Sequence, residues 1–161
     1  MSSEEGAQSA LNYISLNADF NVGEFAVLFL VSLLLLFLSA LISGSEVAFF
    51  SLQAIDIEEI EEKGTKRAQI VSKLKHNPKQ LLSTLLVANN TVNVGIIIIT
   101  SYTLSNCVHL ENEKIQFLVE VVFITSILLL LGEIVPKVYA TNNKKKLSYF
   151  MAKPIYYLGK I

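Results

Sequence analysis

Three long apolar stretches, each interrupted by polar side chains in a regular pattern, set the layout of the chain. The first runs from Phe25 to Phe50, and Phe25 to Leu38 is nearly all apolar. Its 26 residues suffice to cross a bilayer as a helix. It ends in Ser39-Ala-Leu-Ile-Ser-Gly-Ser-Glu46. Ser39, Ser43 and Glu46 recur at four and three residues, so a helix places them on one face, with Ser45 beside them. The second stretch, about 81–102, carries Ser83, Asn89, Asn90 and Asn93 ahead of four isoleucines. Asn90 shares a face with Ser83 and Asn93, and Asn89 and Asn93 are four apart. The third stretch, about 115–135, ends in Leu131-Gly-Glu-Ile-Val-Pro-Lys137. Pro136 has no N–H to donate, and Gly132 permits close approach. A broken helix is expected there, with bare carbonyls beside Glu133. Glu120, one turn into this span, is expected close to the membrane interface.

The segments between the spans read differently. Residues 1–22 form a polar tail without Lys or Arg, loosely ordered, with Leu11, Tyr13, Ile14 and Leu16 as positions that could rest on the membrane. From Gln53 to Lys79, apolar residues such as Leu52, Ile60, Val71 and Leu74 recur between charges at helical spacing, divided by Gly64. Interfacial amphipathic helices and a solvated helical hairpin both fit that pattern. Asn77-Pro78 marks a helix start. A polar loop is expected at about 105–114. After Lys144-Lys-Lys146, Tyr149, Tyr156 and Tyr157 read as an aromatic belt on a basic interfacial segment. The chain stops at Ile161 without a closing signal, which reads as a boundary before a following domain.

Composition narrows the class. With 52% hydrophobic residues and a mean hydropathy of +0.51, the fold class is all-α integral membrane: three transmembrane helices plus interfacial juxtamembrane helices. One cysteine, Cys107, excludes an internal disulfide and is expected to be a buried small residue. His76 and His109 are isolated and are not expected to be ligands. No Ser-His pairing, His pair or paired aspartates lies within the spans, so an intramembrane enzyme is not expected. No nucleic-acid partner is expected; the spans face membrane lipid. Lys and Arg number none in the tail, six between spans one and two, one (Lys114) between spans two and three, and six from Lys137 onward. Three spans with that asymmetry place the N-terminus outside and the C-terminus in the cytoplasm of an inner (plasma) membrane.

The polar stretches then combine. Serine hydroxyls, asparagine amides, the backbone at Gly132 and the Glu133 carboxylate are all oxygen donors, suited to hard cations such as Mg²⁺, Ca²⁺ or Na⁺. By the topology above, all three groups fall at similar depth in the inner half of the bilayer. Each taken alone could equally serve interhelical hydrogen bonding.

The serine motif at 39–46, Leu81-Leu-Ser-Thr-Leu-Leu-Val-Ala-Asn-Asn90 and Gly132-Glu-Ile-Val-Pro-Lys137 resemble the three signatures of the CNNM/CorC magnesium-transporter transmembrane domain. The polar N-terminus is also similar to a gliding-motility branch of that family. The resemblance covers residues 25–161 and implies a domain over 23–161, a homodimer, and a following cytoplasmic pair of CBS domains that this chain does not contain. It implies a cation held by Ser39, Ser43, Asn89, Asn90, Gly132 and Glu133, with Ser45, Glu46, Ser83 and Asn93 as neighbours and the helix break at Pro136. The resemblance implies Mg²⁺ as the ion, exported, with Na⁺ as the exchange partner. A scaffold that anchors cytoplasmic CBS domains in a gliding or secretion complex is the alternative.

Overall fold

The first apolar run folds as one uninterrupted helix, α1 (Val22–Phe50, 29 residues). This is a computed structural model that describes residues 14–16, 22–110 and 112–160. Side chains at 14–16 and 107–110 fall outside that description, as do Leu11 and Tyr13 and the expected burial of Cys107. At about 1.5 Å per residue α1 is roughly 43 Å long, more than a bilayer core requires. Two helices follow, α2 (Ala54–Glu61) and α3 (Lys66–His76). Gly64 joins them at φ +61°, where a side chain would be strained. Thr65 caps α3 by accepting the Ala68 N–H at 3.2 Å.

The second span, α4 (Pro78–Cys107), starts at the proline, whose missing N–H costs nothing in a first turn. It runs past the expected end at Tyr102, so the first three residues of the expected loop, 105–107, are helix. The Asn106 side-chain amide donates to the Tyr102 carbonyl at 2.7 Å and helps to carry that last turn. A three-residue strand, β2 (Val108–Leu110), then pairs antiparallel with β1 (Ile14–Leu16), Ser15 opposite His109. The tail therefore contributes an ordered strand, through a pairing that local pattern does not reveal.

The third span comprises α5 (Glu113–Ile127), a π-helical stretch (Leu128–Ile134) and α6 (Val135–Asn142). The expected break is corrected here. Facing a proline that cannot donate, the helix widens, and the Val135 N–H reaches the Leu130 carbonyl five residues back. The three spans, 22–50, 78–106 and 113–142, are long and apolar enough to cross a membrane.

The last helix, α7 (Lys144–Leu158), packs one face into the protein. Leu147, Met151, Ala152 and Ile155 are buried in one core with Phe49 and Leu52 of the α1 end, Ile60 of α2, Val71 of α3, Leu81 and Leu85 of α4 and Ala140 of α6. Tyr149 bonds Thr65 Oγ1 at 2.9 Å, with Lys63 and Arg67 over its ring. The segment at 53–79 is thus a helical hairpin packed against α7 and the end of α1. Lys75 Nζ donates to the Phe49 and Phe50 carbonyls at 2.9 and 3.3 Å, where the helix dipole favours a cation. Partial burial lowers the Lys75 pKa. Lys144 and Lys145 pair with Asp56, and Lys145 also with Glu59.

Candidate cation site

Ser39 sits at mid-span on α1 with no exposed surface. Its Oγ donates to Asn93 Oδ1 at 2.7 Å and lies 3.2 Å from Asn89 Oδ1. One hydroxyl proton cannot serve both amide oxygens fully, so lone pairs on these oxygens remain available. Span three closes the same spot: a Cβ added at Gly132 would lie 3.3 Å from Ser39 Oγ. Glycine therefore lets the π-helical backbone come against the hydroxyl. Glu133, the next residue, is half-buried.

One turn further along α1, Ser43 is 1% exposed and its Oγ has no hydrogen-bond partner, the one such buried side-chain oxygen among the described residues. A serine in a helix ordinarily satisfies itself on the carbonyl four residues back. Ser45 does so, donating to Leu41 O at 2.6 Å, and Thr91 and Ser126 do the same on their helices. Ser43 does not.

Other expected members lie elsewhere. Glu46 shares the face of Ser39 and Ser43 but turns to Lys137 at 3.7 Å, with side chains 32% and 41% exposed, a pair too open to contribute much. Asn90 and Ser83 lie on an exposed stripe of α4, and Asn93, expected only as a neighbour, is the closer partner of Ser39. Pro136 lies just past the π stretch, and a Cβ at Gly44 would meet its carbonyl at 3.2 Å.

Glu120 is enclosed by its neighbours. It is 8% exposed and accepts from Ser105 Oγ at 3.2 Å on both oxygens and from Gln116 Nε2 at 3.0 Å. Gln116 is four residues away and was visible as a partner, whereas Ser105 arrives only through the fold. Among the described residues no three His, Cys, Asp or Glu side chains are grouped to hold a metal. The donors present are hydroxyl and amide oxygens against a bare helix backbone, a set for hard cations.

A family model described as the cyclin M transmembrane N-terminal domain matches residues 30–161. This chain belongs to the CNNM family. The match takes in the CNNM serine motif, the asparagines of α4 and the glycine-glutamate of the π stretch together. A curated relative, a UPF0053 protein of Haemophilus influenzae, is 31% identical over 136 residues. The aligned part is 84% of this chain and 31% of that protein, so the CNNM chain spans about a third of the relative it matches.

Proposed function

We propose that this membrane domain conducts a hard divalent cation, Mg²⁺, through a site formed by Ser39, Ser43, Asn89, Asn93, Gly132 and Glu133. The observation that carries the reading is the unpartnered Ser43 hydroxyl, buried one turn from the Ser39–Asn89–Asn93 cluster. A buried polar atom left unmatched costs free energy, and a cation ligated there would recover it. Family membership supports the ion. Mostly neutral oxygens hold Mg²⁺ loosely, because it sheds water reluctantly. Loose binding suits a carrier that must release its cargo, and Na⁺, which the same oxygens accept, is the coupling ion in this reading. The π stretch beside Gly132 and the cap of α2, α3 and α7 are the parts that would gate the site. Cytoplasmic CBS domains would bias that gate.

Two further features belong to this reading. The lysine and arginine asymmetry supports an outside N-terminus and a cytoplasmic C-terminus in the inner membrane. The exposed Asn90 amide, costly against lipid, supports a second copy of the chain covering it.

A scaffold role is the second reading, and the Ser39–Asn93 hydrogen bond favours it, because helix packing alone would make that contact. Titrating Mg²⁺ against melting temperature separates the two. In the transport reading the wild type gains about 2.7 kcal/mol at a hundredfold excess over Kd. Ser43→Ala keeps or raises the metal-free stability, since it removes an unmatched hydroxyl, yet loses most of the Mg²⁺ shift. Asn93→Ala loses the shift as well, and Asn90→Ala does so only if the second copy brings that amide to the ion. A wild type indifferent to Mg²⁺ supports the scaffold, and variants that retain the whole shift sink the site. Flux into proteoliposomes then tests transport itself.

A further inference from the structure

Two depressions meet on one side of the molecule, at its juxtamembrane end. The larger is an apolar groove of about 670 Å³ between α1, α4 and the end of α7, walled by Leu38, Ile42, Val87, Ala88 and Val92. That size lies within the ~300–1,000 Å³ usual for ligand sites. The smaller, about 170 Å³, lies between α3, the start of α4 and the end of α7, and is lined by Lys73, Asn77, Tyr156 and Lys160. Gln80, Thr84 and Gly159 line both. At this seam Gln80 Nε2 donates to the Gly159 carbonyl at 3.1 Å, and a Cβ at Gly159 would lie 3.1 Å from Thr84 Oγ1. The two depressions therefore form one continuous surface, apolar along the spans and cationic where the spans end.

Among the described residues the cationic end has no counter-ion. Lys73 Nζ and Lys160 Nζ stand 5.3 and 4.9 Å from the centroid of the Tyr156 ring, and neither has a carboxylate partner among the described residues. The charge of Lys160 foremost, then a hydrogen bond from Lys73, holds the Tyr156 phenol below its usual pKa. Two like charges gathered on one ring at the membrane edge are matched by a phosphate, which accepts from both ammonium groups. Phosphate and aliphatic chain in one ligand describe a lipid.

We propose that the groove and pocket together bind one anionic phospholipid of the adjoining leaflet. An acyl chain lies along Val87 and Val92, and the phosphate sits between Lys73 and Lys160.

The test uses the chain in detergent micelles with EDTA, so that Mg²⁺ at the serine site plays no part. Melting temperature is followed against added phosphatidylglycerol, phosphatidylcholine or glycerol 3-phosphate. Phosphatidylglycerol raises it by several degrees, phosphatidylcholine by clearly less and glycerol 3-phosphate not at all. Lys73→Gln with Lys160→Gln brings phosphatidylglycerol down to the phosphatidylcholine response, while the paired arginine variant keeps the difference. Val87→Trp, at an exposed position, weakens the response to both lipids. Equal responses to the two lipids in the wild type, or a glutamine pair that keeps the anionic preference, overturn the proposal. Glycerol 3-phosphate acting as well as phosphatidylglycerol assigns the pocket to a soluble phosphate instead. If Val87→Trp alters oligomeric mass and leaves the lipid response intact, the groove belongs to a second copy of the chain.

Discussion

Asp56 joins two parts of the chain that sequence keeps 88 residues apart. Its carboxylate takes a hydrogen bond from Lys144, the main reason its pKa falls from 3.8 to about 2, with the Gln53 N–H at 2.8 Å adding to the effect. Because the folded pKa lies below the unfolded one, the stabilisation is fully present above 3.8 and is lost as pH falls from there towards 2. Asp56→Asn should therefore lower the melting temperature near neutrality, with the gap to wild type closing as the pH drops through that window. Melting curves across the acid range check this, and a gap that stays constant would mean the lysines do not hold the carboxylate. The pair was illegible beforehand. The acidic run and Lys144-Lys-Lys146 were both plain in the sequence, but nothing local says which acid meets which base. Ser39 and Ser43 were legible, because a four-residue spacing suffices to put them on one face. That Ser39 would choose Asn93 over Asn90 depends on the rotation of α4 against α1, which spacing within one helix cannot give.

Among the elements, α1 was read correctly at its end and to within three residues at its start, since an unbroken apolar run leaves a membrane helix no alternative for its backbone. Span three shows the limit of such reading. Pro136 announced a disturbance without its form, because a missing N–H can be met by breaking the helix or by widening it. The widened form keeps Gly132 against Ser39 and Pro136 against Gly44. A Cβ at Gly44 would stand 3.2 Å from the Pro136 carbonyl and 3.1 Å from Leu147 Cδ2. Gly44→Val should thus cost about 1–3 kcal/mol by overpacking. Gly95→Ala, whose Cβ would meet only Leu35 Cδ1 at 3.5 Å, should be far milder. Thermal denaturation of both variants checks the ranking. Equal stability would mean that α1 and α6 separate freely. The strand pair β1–β2 and the burial of Glu120 escaped sequence reading for the same reason as each other: their partners lie on another element.

For the whole molecule, the basic segments at 63–79 and 144–160 come together at one end, because α3 and α7 share a core. That convergence supports the three-span orientation inferred from charge. Cysteines at Lys146 and Asn90 test orientation and pairing in one preparation of intact cells. The Lys146→Cys position should resist an impermeant label from outside, and Asn90→Cys should cross-link to a second copy. Outside labelling at 146 reverses the orientation, and absence of any cross-link removes the second copy from this face. The uneven core has one more consequence. Among the described residues, fourteen buried apolar side chains bind the juxtamembrane end, against the three of Ile96, Ile124 and Leu128 in the other half. Such a molecule is built like a pair of tongs, with a stiff joint where the hairpin and α7 clasp the spans and a lighter closure at the tips, where the β1–β2 pair and the Ser105–Glu120 bonds tie them. For any rotation about that joint the tips travel furthest. Ser39 and its asparagines, part-way along the arms, move by a small and nearly fixed fraction of that travel, so a wide swing at one face of the membrane reaches the oxygens as a fine adjustment of their spacing.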